Sequence, residues 1–182
     1  MREFKSLSIL LGFVLIIGLV ITMIFRVTVE GGQEVVLTAK PILFGKEGVL
    51  PEPVSAGSAW RAPTTSVHKY LITPIRMDEA LNDIVSSDKI PVDLNAHITL
   101  QIKAGNSPLL HEKFGAYWYK NNVQDVFRTE VRTFAKGLTG GELISDADSI
   151  LEGQQSIEEK MQVYINGLEL PVSVKRGHYW QS

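Results

Sequence analysis

The stretch Val92–Lys103, VDLNAHITLQIK, decides the class of fold. An apolar residue stands at every second position from Val92 to Ile102, and a polar or charged residue fills each position between them. Strict alternation over this length predicts a long β-strand with one face in the core and one face in water. Pro91 comes directly before the stretch, where a missing backbone N–H does least harm to a strand.

The segments on both sides of this strand predict an α+β fold. Upstream, Gln33–Lys40 and Val67–Thr73 have the composition of shorter strands, separated by residues rich in glycine and proline. Downstream, the apolar period becomes helical until Pro171–Lys175, which is typical of a returning strand. Strands followed by helices predict a domain with an antiparallel sheet and helices packed against it.

Two longer helices are predicted, after a short helical piece over Leu109–Ala116. We expect Asn122 to cap the first and the pair Gly140–Gly141 to end it. The capping-box pattern Ser149–Glu152 is expected to start the second, which ends at Asn166–Gly167. The predicted buried positions of the first helix are Val123, Val126, Phe127, Val131, Phe134 and Leu138. Those of the second are Leu151, Ile157, Met161, Ile165 and Leu168.

An uncharged apolar run, LSILLGFVLIIGLVITMIF, occupies Leu7–Phe25 near the N-terminus. As a helix it would be about 28 Å long, close to the thickness of the hydrocarbon core of a bilayer. A cleavable signal peptide is the competing interpretation, but the run is longer than a signal's apolar region and no small-x-small site follows it. The sequence therefore predicts a short tail over 1–6, a retained single-pass transmembrane helix over 7–25 and one domain over 26–182.

Basic residues near this run say little about its orientation. Arg2 and Lys5 precede it, and Arg26 and Lys40 follow it. The free amino terminus favours an N-terminus inside, which would put the domain on the non-cytoplasmic side of the membrane.

Composition excludes several classes of function. Lys and Arg total 18 against 20 Asp and Glu, a net charge of −2, so the chain lacks the basic excess of a nucleic-acid binder. Cysteine is absent, which excludes disulfides, a thiol nucleophile and a cysteine-based metal site.

No catalytic constellation is visible in the sequence. Asp146 and Asp148 form a closely spaced acidic pair that could hold a cation, but acidic residues at a helix N-terminus are the favoured interpretation because they complement the helix dipole. The histidines are scattered, and none has a second ligand-type residue at metal-site spacing: His68, His97, His111 and His178. We therefore predict no catalytic, cofactor-binding or metal-binding residues and no enzyme activity.

Three cations repeat every fourth residue along the first long helix: Arg128, Arg132 and Lys136. One interpretation is a solvated helix face. The other is a subunit contact in which these cations pair with carboxylates on the second helix of a neighbouring copy, for which the candidates are Glu152, Glu158 and Glu159.

The order of the segments resembles the SPFH superfamily, the stomatin, prohibitin and flotillin proteins. After the N-terminal apolar run, Val29–Val36 is similar to the family's entry into its first strand, and Ser86–Leu94 to its turn into a long strand. Phe127–Arg132 resembles its helical R-x-x-V-R stretch, and Gly167–Val174 the strand after the second helix. The resemblance implies a membrane-anchored scaffold without catalysis, which organises membrane protein complexes as a homo-oligomer or together with longer SPFH proteins.

The resemblance leaves alternatives open. A regulator that docks onto a membrane-embedded AAA protease lies within the same class, and a membrane-anchored module binding lipid or another apolar ligand lies outside it. The resemblance also implies a long coiled coil after the last strand, whereas no heptad repeat follows Val174 in this sequence. A truncated member, a partial sequence and a subunit that depends on a longer partner all remain as interpretations.

Overall fold

The computed structural model describes residues 2–41 and 47–175, with side chains from Leu11 onward. The elements are α1 (Arg2–Phe25), β1 (Arg26–Val29), β2 (Gln33–Ala39), β3 (Gly48–Val49), β4 (Gly57–Trp60), β5 (Ser66–Leu71), β6 (Ile75–Val85), β7 (Pro91–Ile102), α2 (Ser107–Phe114), α3 (Trp118–Asn122), α4 (Gln124–Gly137), α5 (Gly140–Ser145), α6 (Ala147–Gly167) and β8 (Val172–Lys175).

The strands form three antiparallel sheets, in the orders β1-β4, β3-β2-β5 and β6-β7-β8. The main core lies between the β6-β7-β8 sheet and the helices that follow it, and a smaller apolar cluster joins the first two sheets. An α+β domain with antiparallel sheets and packed helices is therefore confirmed.

The strand over Val92–Lys103 is confirmed as β7. Its inward residues Ile98, Leu100 and Ile102 are only 1–2% exposed. β6 pairs along the length of β7, whereas β8 pairs with it only from Thr99 to Ile102. One edge of the N-terminal half of β7 consequently has no partner strand among the residues that the structure describes.

The sequence did not predict β6, although this strand pairs with β7 from Pro91 to Leu100. Two features interrupt the alternation of apolar and polar residues along β6. Glu79 stands at an inward position and is 6% exposed, so a charge interrupts the apolar pattern. The register also shifts between Leu81 and Ile84, and Asp83 there has a φ of 56°. A bulge of this kind moves every later side chain to the opposite face.

The predicted boundaries of the first long helix are wrong at both ends. Asn122 does not cap α4, because its side-chain amide donates to the Trp118 carbonyl oxygen inside α3. Gly140 and Gly141 do not end α4 but begin α5. Thr139 caps α5, and the side chains and backbone of Thr139 and Glu142 form a reciprocal capping box. The capping chemistry thus outweighs the helix-breaking tendency of two adjacent glycines.

The second long helix, α6, begins two residues before the predicted Ser149. Asp146 is its N-cap, accepting from the Ser149 backbone N–H at 3.2 Å. Ile157, Met161 and Ile165 are buried as predicted, and Leu168 is partly buried. Leu151 is 45% exposed, so that buried position is wrong: six residues before Ile157, it lies about 120° around the helix from the buried face.

The N-terminal segment forms one helix, α1, which includes the predicted span over 7–25. The span itself is not supported: within the described part of the chain, none of the helices combines the length and apolar character needed to cross a bilayer. The side chains of residues 7–10 lie outside the described ones.

Candidate functional site

The three cations in the predicted subunit contact lie in different surroundings. Arg128 is turned back towards the sheet, with Nε 3.0 Å from Glu79 Oε2. Arg132 and Lys136 are exposed on α4. Arg128 therefore forms its ion pair with Glu79 of β6.

The carboxylates of the predicted contact all lie on α6. Glu152 and Glu159 are exposed, and Glu158 is half-buried with its Oε1 3.4 Å from the Gln154 amide nitrogen. Lys160 of α6 and Glu130 of α4 form an ion pair between the two helices, with Nζ 3.0 Å from Oε2. The contact between copies stays a prediction.

Glu79 is the centre of a buried polar cluster under α4. Its Oε1 accepts hydrogen bonds from Tyr119 Oη at 2.9 Å and Gln124 Nε2 at 2.8 Å. Arg128 Nε lies at ion-pair distance from Oε2 without hydrogen-bond geometry. Burial, followed by the hydrogen bond to Glu79, raises the pKa of Tyr119 well above its usual value. Three partners for one buried carboxylate indicate a structural site that holds α3 and α4 to the sheet.

A second buried carboxylate, Glu34, joins β2 to the start of α2. Glu34 is 2% exposed, and its oxygens accept from the Gly105 N–H at 2.6 Å and the Ser107 hydroxyl at 2.5 Å. Gly105 has a φ of 81°, in the left-handed region that favours glycine, so that the loop can present its N–H to the carboxylate.

Two of the scattered histidines meet where α2 packs on β5. The rings of His68 and His111 are 4.2 Å apart between centroids, and His111 Nδ1 lies 2.6 Å from the Tyr70 hydroxyl. Burial, and then the neighbouring His68, lower the pKa of His111. This pair could not be predicted from the sequence, because His68 and His111 belong to elements far apart along the chain.

Asp146 and His97, also named as candidate residues from the sequence, lie in regular elements of the fold or at their ends. Hydrogen bonds from the Ser149 hydroxyl and backbone lower the pKa of Asp146, in keeping with its role as a helix cap. His97 is paired in register with Asp78, and His178 lies outside the described residues. A group of three or more His, Asp or Glu side chains able to hold a metal ion is not found in residues 2–41 and 47–175.

An apolar groove of about 280 Å³ lies between β7 and α6 and is here called the β7–α6 groove. One wall is the segment 94–97 of β7, and the opposite wall is the face of α6 that carries Ile150, Gln154, Ile157 and Glu158. Side chains of α4 and α5 form its floor: Phe127, Val131, Phe134 and Leu143. Its chemistry suits binding rather than catalysis, because the floor is apolar and the polar groups lie on the walls.

Comparison with known proteins gives one positive result. Residues 27–173 match the model of the SPFH domain / Band 7 family. A search of curated proteins finds no match.

Proposed function

The chain belongs to the SPFH domain / Band 7 family, and we propose that it acts as a scaffold subunit attached to a membrane through α1. Members of this family are generally non-catalytic, associate with membranes and commonly form oligomers. The family match is the observation that carries the proposal. The buried polar clusters agree with it, because each is occupied in holding elements together.

Attachment through α1 is supported by the surroundings of its side chains. Between Leu11 and Ile24 the large apolar residues are 42–74% exposed, and they lie on all sides of the helix. A helix that is apolar all round needs apolar surroundings, which a bilayer supplies. Trp60 is 65% exposed on β4, directly opposite Arg26 at the end of α1. Tryptophan and arginine at one level are typical of a membrane interface.

The membrane part of the proposal is tested by flotation with lipid vesicles. The full chain should float with the vesicles and resist extraction at alkaline pH, whereas a chain lacking residues 2–25 should stay at the bottom of the gradient. Equal flotation of both chains would contradict attachment through α1. Crossing of the bilayer, with the domain on the non-cytoplasmic side, is the finer form of the proposal, and protease digestion of the domain from outside intact spheroplasts tests it.

The scaffold part of the proposal is tested by the mass of the detergent-extracted full chain in light scattering. An assembly of many copies would support a scaffold that forms by itself, and an assembly obtained only with a longer SPFH protein would support a mixed one. A strict monomer under both conditions would contradict it. Co-purification of embedded proteins with the assembly, an AAA-type protease among them, tests which partners it organises.

The β7–α6 groove favours a second candidate, the binding of an apolar ligand. Its floor includes two phenylalanines, and its volume is about twice that of a cavity that takes up benzene. Binding of decanoate to the full chain, measured by calorimetry, tests this candidate.

A further inference from the structure

The outward face of the β1-β4 sheet carries four hydrogen-bonding side chains directly after α1. β1 and β4 pair so that Arg26 stands opposite Trp60, and Thr28 stands opposite Ser58. Opposite residues of an antiparallel pair lie on the same face of the sheet, and all four are exposed, whereas the alternate residues of β1 are buried. A guanidinium, two hydroxyls and an indole N–H therefore share this surface, here called the donor face.

The guanidinium of Arg26 is held in place but is not neutralised. Its Nη2 donates to Ser58 Oγ at 2.9 Å, which leaves further N–H groups for a ligand. The ion pairs among the described side chains involve other cations: Arg76, Lys113, Arg128 and Lys160. Outside the described side chains the sequence has one acidic residue, Glu3, which lies in the first turn of α1, at the far end of the helix from Arg26. The positive charge of the donor face is therefore open to an anion.

Polarity changes along this face in the order found at a membrane surface. α1 is apolar to its end, Arg26 and Trp60 follow, and Thr28 and Ser58 lie about 7 Å further along their strands. The first carboxylate after α1 is Glu30, about 13 Å beyond Arg26 along the extended chain. The headgroup layer on each side of a bilayer is about 5–8 Å thick. When α1 lies in the hydrocarbon, the donor face therefore lies among the headgroups.

We propose that the donor face binds the phosphodiester group of a membrane phospholipid, an inference that rests on the proposed attachment through α1. The guanidinium of Arg26 presents parallel N–H donors that match two phosphate oxygens. The hydrogen bond to Ser58 fixes the direction of these donors, and the indole N–H of Trp60 supplies another on the same face. The acyl chains of the bound lipid lie against the apolar side chains of α1.

The first test compares two lipids that have the same acyl chains and no net charge. Dioleoyl phosphatidylcholine contains a phosphodiester, and digalactosyl dioleoylglycerol contains none. The full chain in maltoside micelles is mixed with equal amounts of both, and the lipids that it retains are counted by native mass spectrometry. We expect at least about tenfold more phosphatidylcholine, because the galactolipid cannot form charge-assisted hydrogen bonds with Arg26. Equal retention of both lipids would overturn the proposal.

Variants locate the binding to the donor face. Arg26→Gln should bring the retention of the two lipids close to equal, since a neutral amide cannot pair with phosphate. Ser58→Ala should reduce the preference about threefold, because the guanidinium is no longer held in place. The matched control is Arg132→Gln, which removes one exposed positive charge from α4 and should keep the full preference. All three side chains are exposed, so the fold should persist, as checked by circular dichroism. A preference unchanged by Arg26→Gln would refute the donor face as the site.

Two further measurements separate the source of the phosphate from the attachment itself. Inorganic phosphate at the concentration of the lipid should leave the preference unchanged, and loss of the preference would assign the face to free phosphate and overturn the proposal. Flotation of the full chain with vesicles of the galactolipid tests attachment without any phosphate. A chain that floats there but retains both lipids equally in micelles would overturn the phosphate contact alone. A chain that floats with no vesicle would contradict attachment through α1, and the phosphate contact with it.

Discussion

At the scale of single residues, Glu79 joins three elements through one buried carboxylate. Glu79→Leu would leave the Tyr119 hydroxyl, the Gln124 amide and the Arg128 guanidinium without their acceptor. We expect the free energy of unfolding to fall by about 2–4 kcal/mol, below the range for a fully buried pair because Arg128 is partly exposed.

The measurement is the midpoint of urea unfolding of the full chain in detergent. Glu152→Leu is the matched control, since Glu152 is exposed on α6, and it should change stability by less than about 0.5 kcal/mol. Equal losses for the two variants would show that the Glu79 cluster is not a stabilising centre.

A second residue-scale prediction concerns pH. The pKa of His111 is lowered in the folded chain, so the unfolded chain binds its proton more readily. The stability that His111 contributes is therefore fully present above the unfolded pKa of about 6.5 and is lost as the pH falls through the folded pKa. Thermal unfolding between pH 7.5 and 5 should show this decline.

His111→Gln should make the decline shallower. Some slope should remain, because burial, and then Arg76, also lower the pKa of His97. Lys113→Gln on the same helix should leave the pH dependence as it is. A decline that is unaffected by His111→Gln would exclude the neighbouring His68 and His111 as its source.

At the scale of elements, α4 and α6 approach closely at Gly153. A Cβ atom placed there would lie 1.9 Å from the ring of Phe134. Alanine is favoured over glycine inside a helix by about 1 kcal/mol, but overpacking costs about 1–3 kcal/mol. We expect Gly153→Ala to lower the free energy of unfolding by up to about 2 kcal/mol, because the ring of Phe134 must move away from the added methyl group.

A double-mutant cycle checks this prediction. Phe134→Leu should cost less stability in the Gly153→Ala background than alone, since it removes the overlap. Gly141→Ala is the control substitution, because a Cβ there meets only the Thr139 hydroxyl at 4.0 Å. Additive losses for Gly153→Ala and Phe134→Leu would mean that the helices shift apart without strain.

Elements differed in how far the sequence could predict them. β7 was predictable because one face of the strand packs on the core and the other faces solvent, so that apolar and polar residues alternate along it. β6 was not, because its inward Glu79 depends on partners from α3 and α4 that no local pattern reveals. The same holds for the β7–α6 groove, which brings together segments that are distant along the chain.

Helix ends were predicted less well than helix interiors. Several residues near each end could cap it, and the choice depends on the path of the chain. Asp146 caps α6 where Ser149 was expected, and Thr139 turns Gly140 into the first residue of α5. The Arg128 ion pair with Glu79 likewise depends on how α4 sits on the sheet, so its spacing with Arg132 and Lys136 could not reveal it.

At the scale of the whole molecule, the prediction concerns association of copies through α4. Arg132→Glu combined with Lys136→Glu reverses two exposed cations and should shift the light-scattering mass of the extracted chain towards the monomer. Glu152→Lys combined with Glu159→Lys in the same chain should restore the assembly, because the charges are then exchanged. Salt should weaken the original assembly, since exposed charges are screened.

A failure of the second pair of substitutions to restore the assembly would exclude pairing between these two sets of residues. A matched double substitution on α2, Glu112→Lys with Lys113→Glu, keeps the net charge and should leave the mass unchanged. An assembly that is unchanged by all of these substitutions would indicate that the copies associate through apolar surfaces instead.

The junction between α1 and β1 has a mechanical consequence. β1 begins at Arg26, the residue after α1 ends, and the Arg61 N–H donates to the Phe25 carbonyl oxygen at 2.7 Å. The connection between α1 and the domain therefore has no flexible linker, and the tilt of α1 sets the orientation of the domain. If α1 lies in a bilayer as proposed, the domains of neighbouring copies share one orientation and one distance from the membrane before they meet. Much of the rotational entropy that association in solution would cost is then lost before they touch.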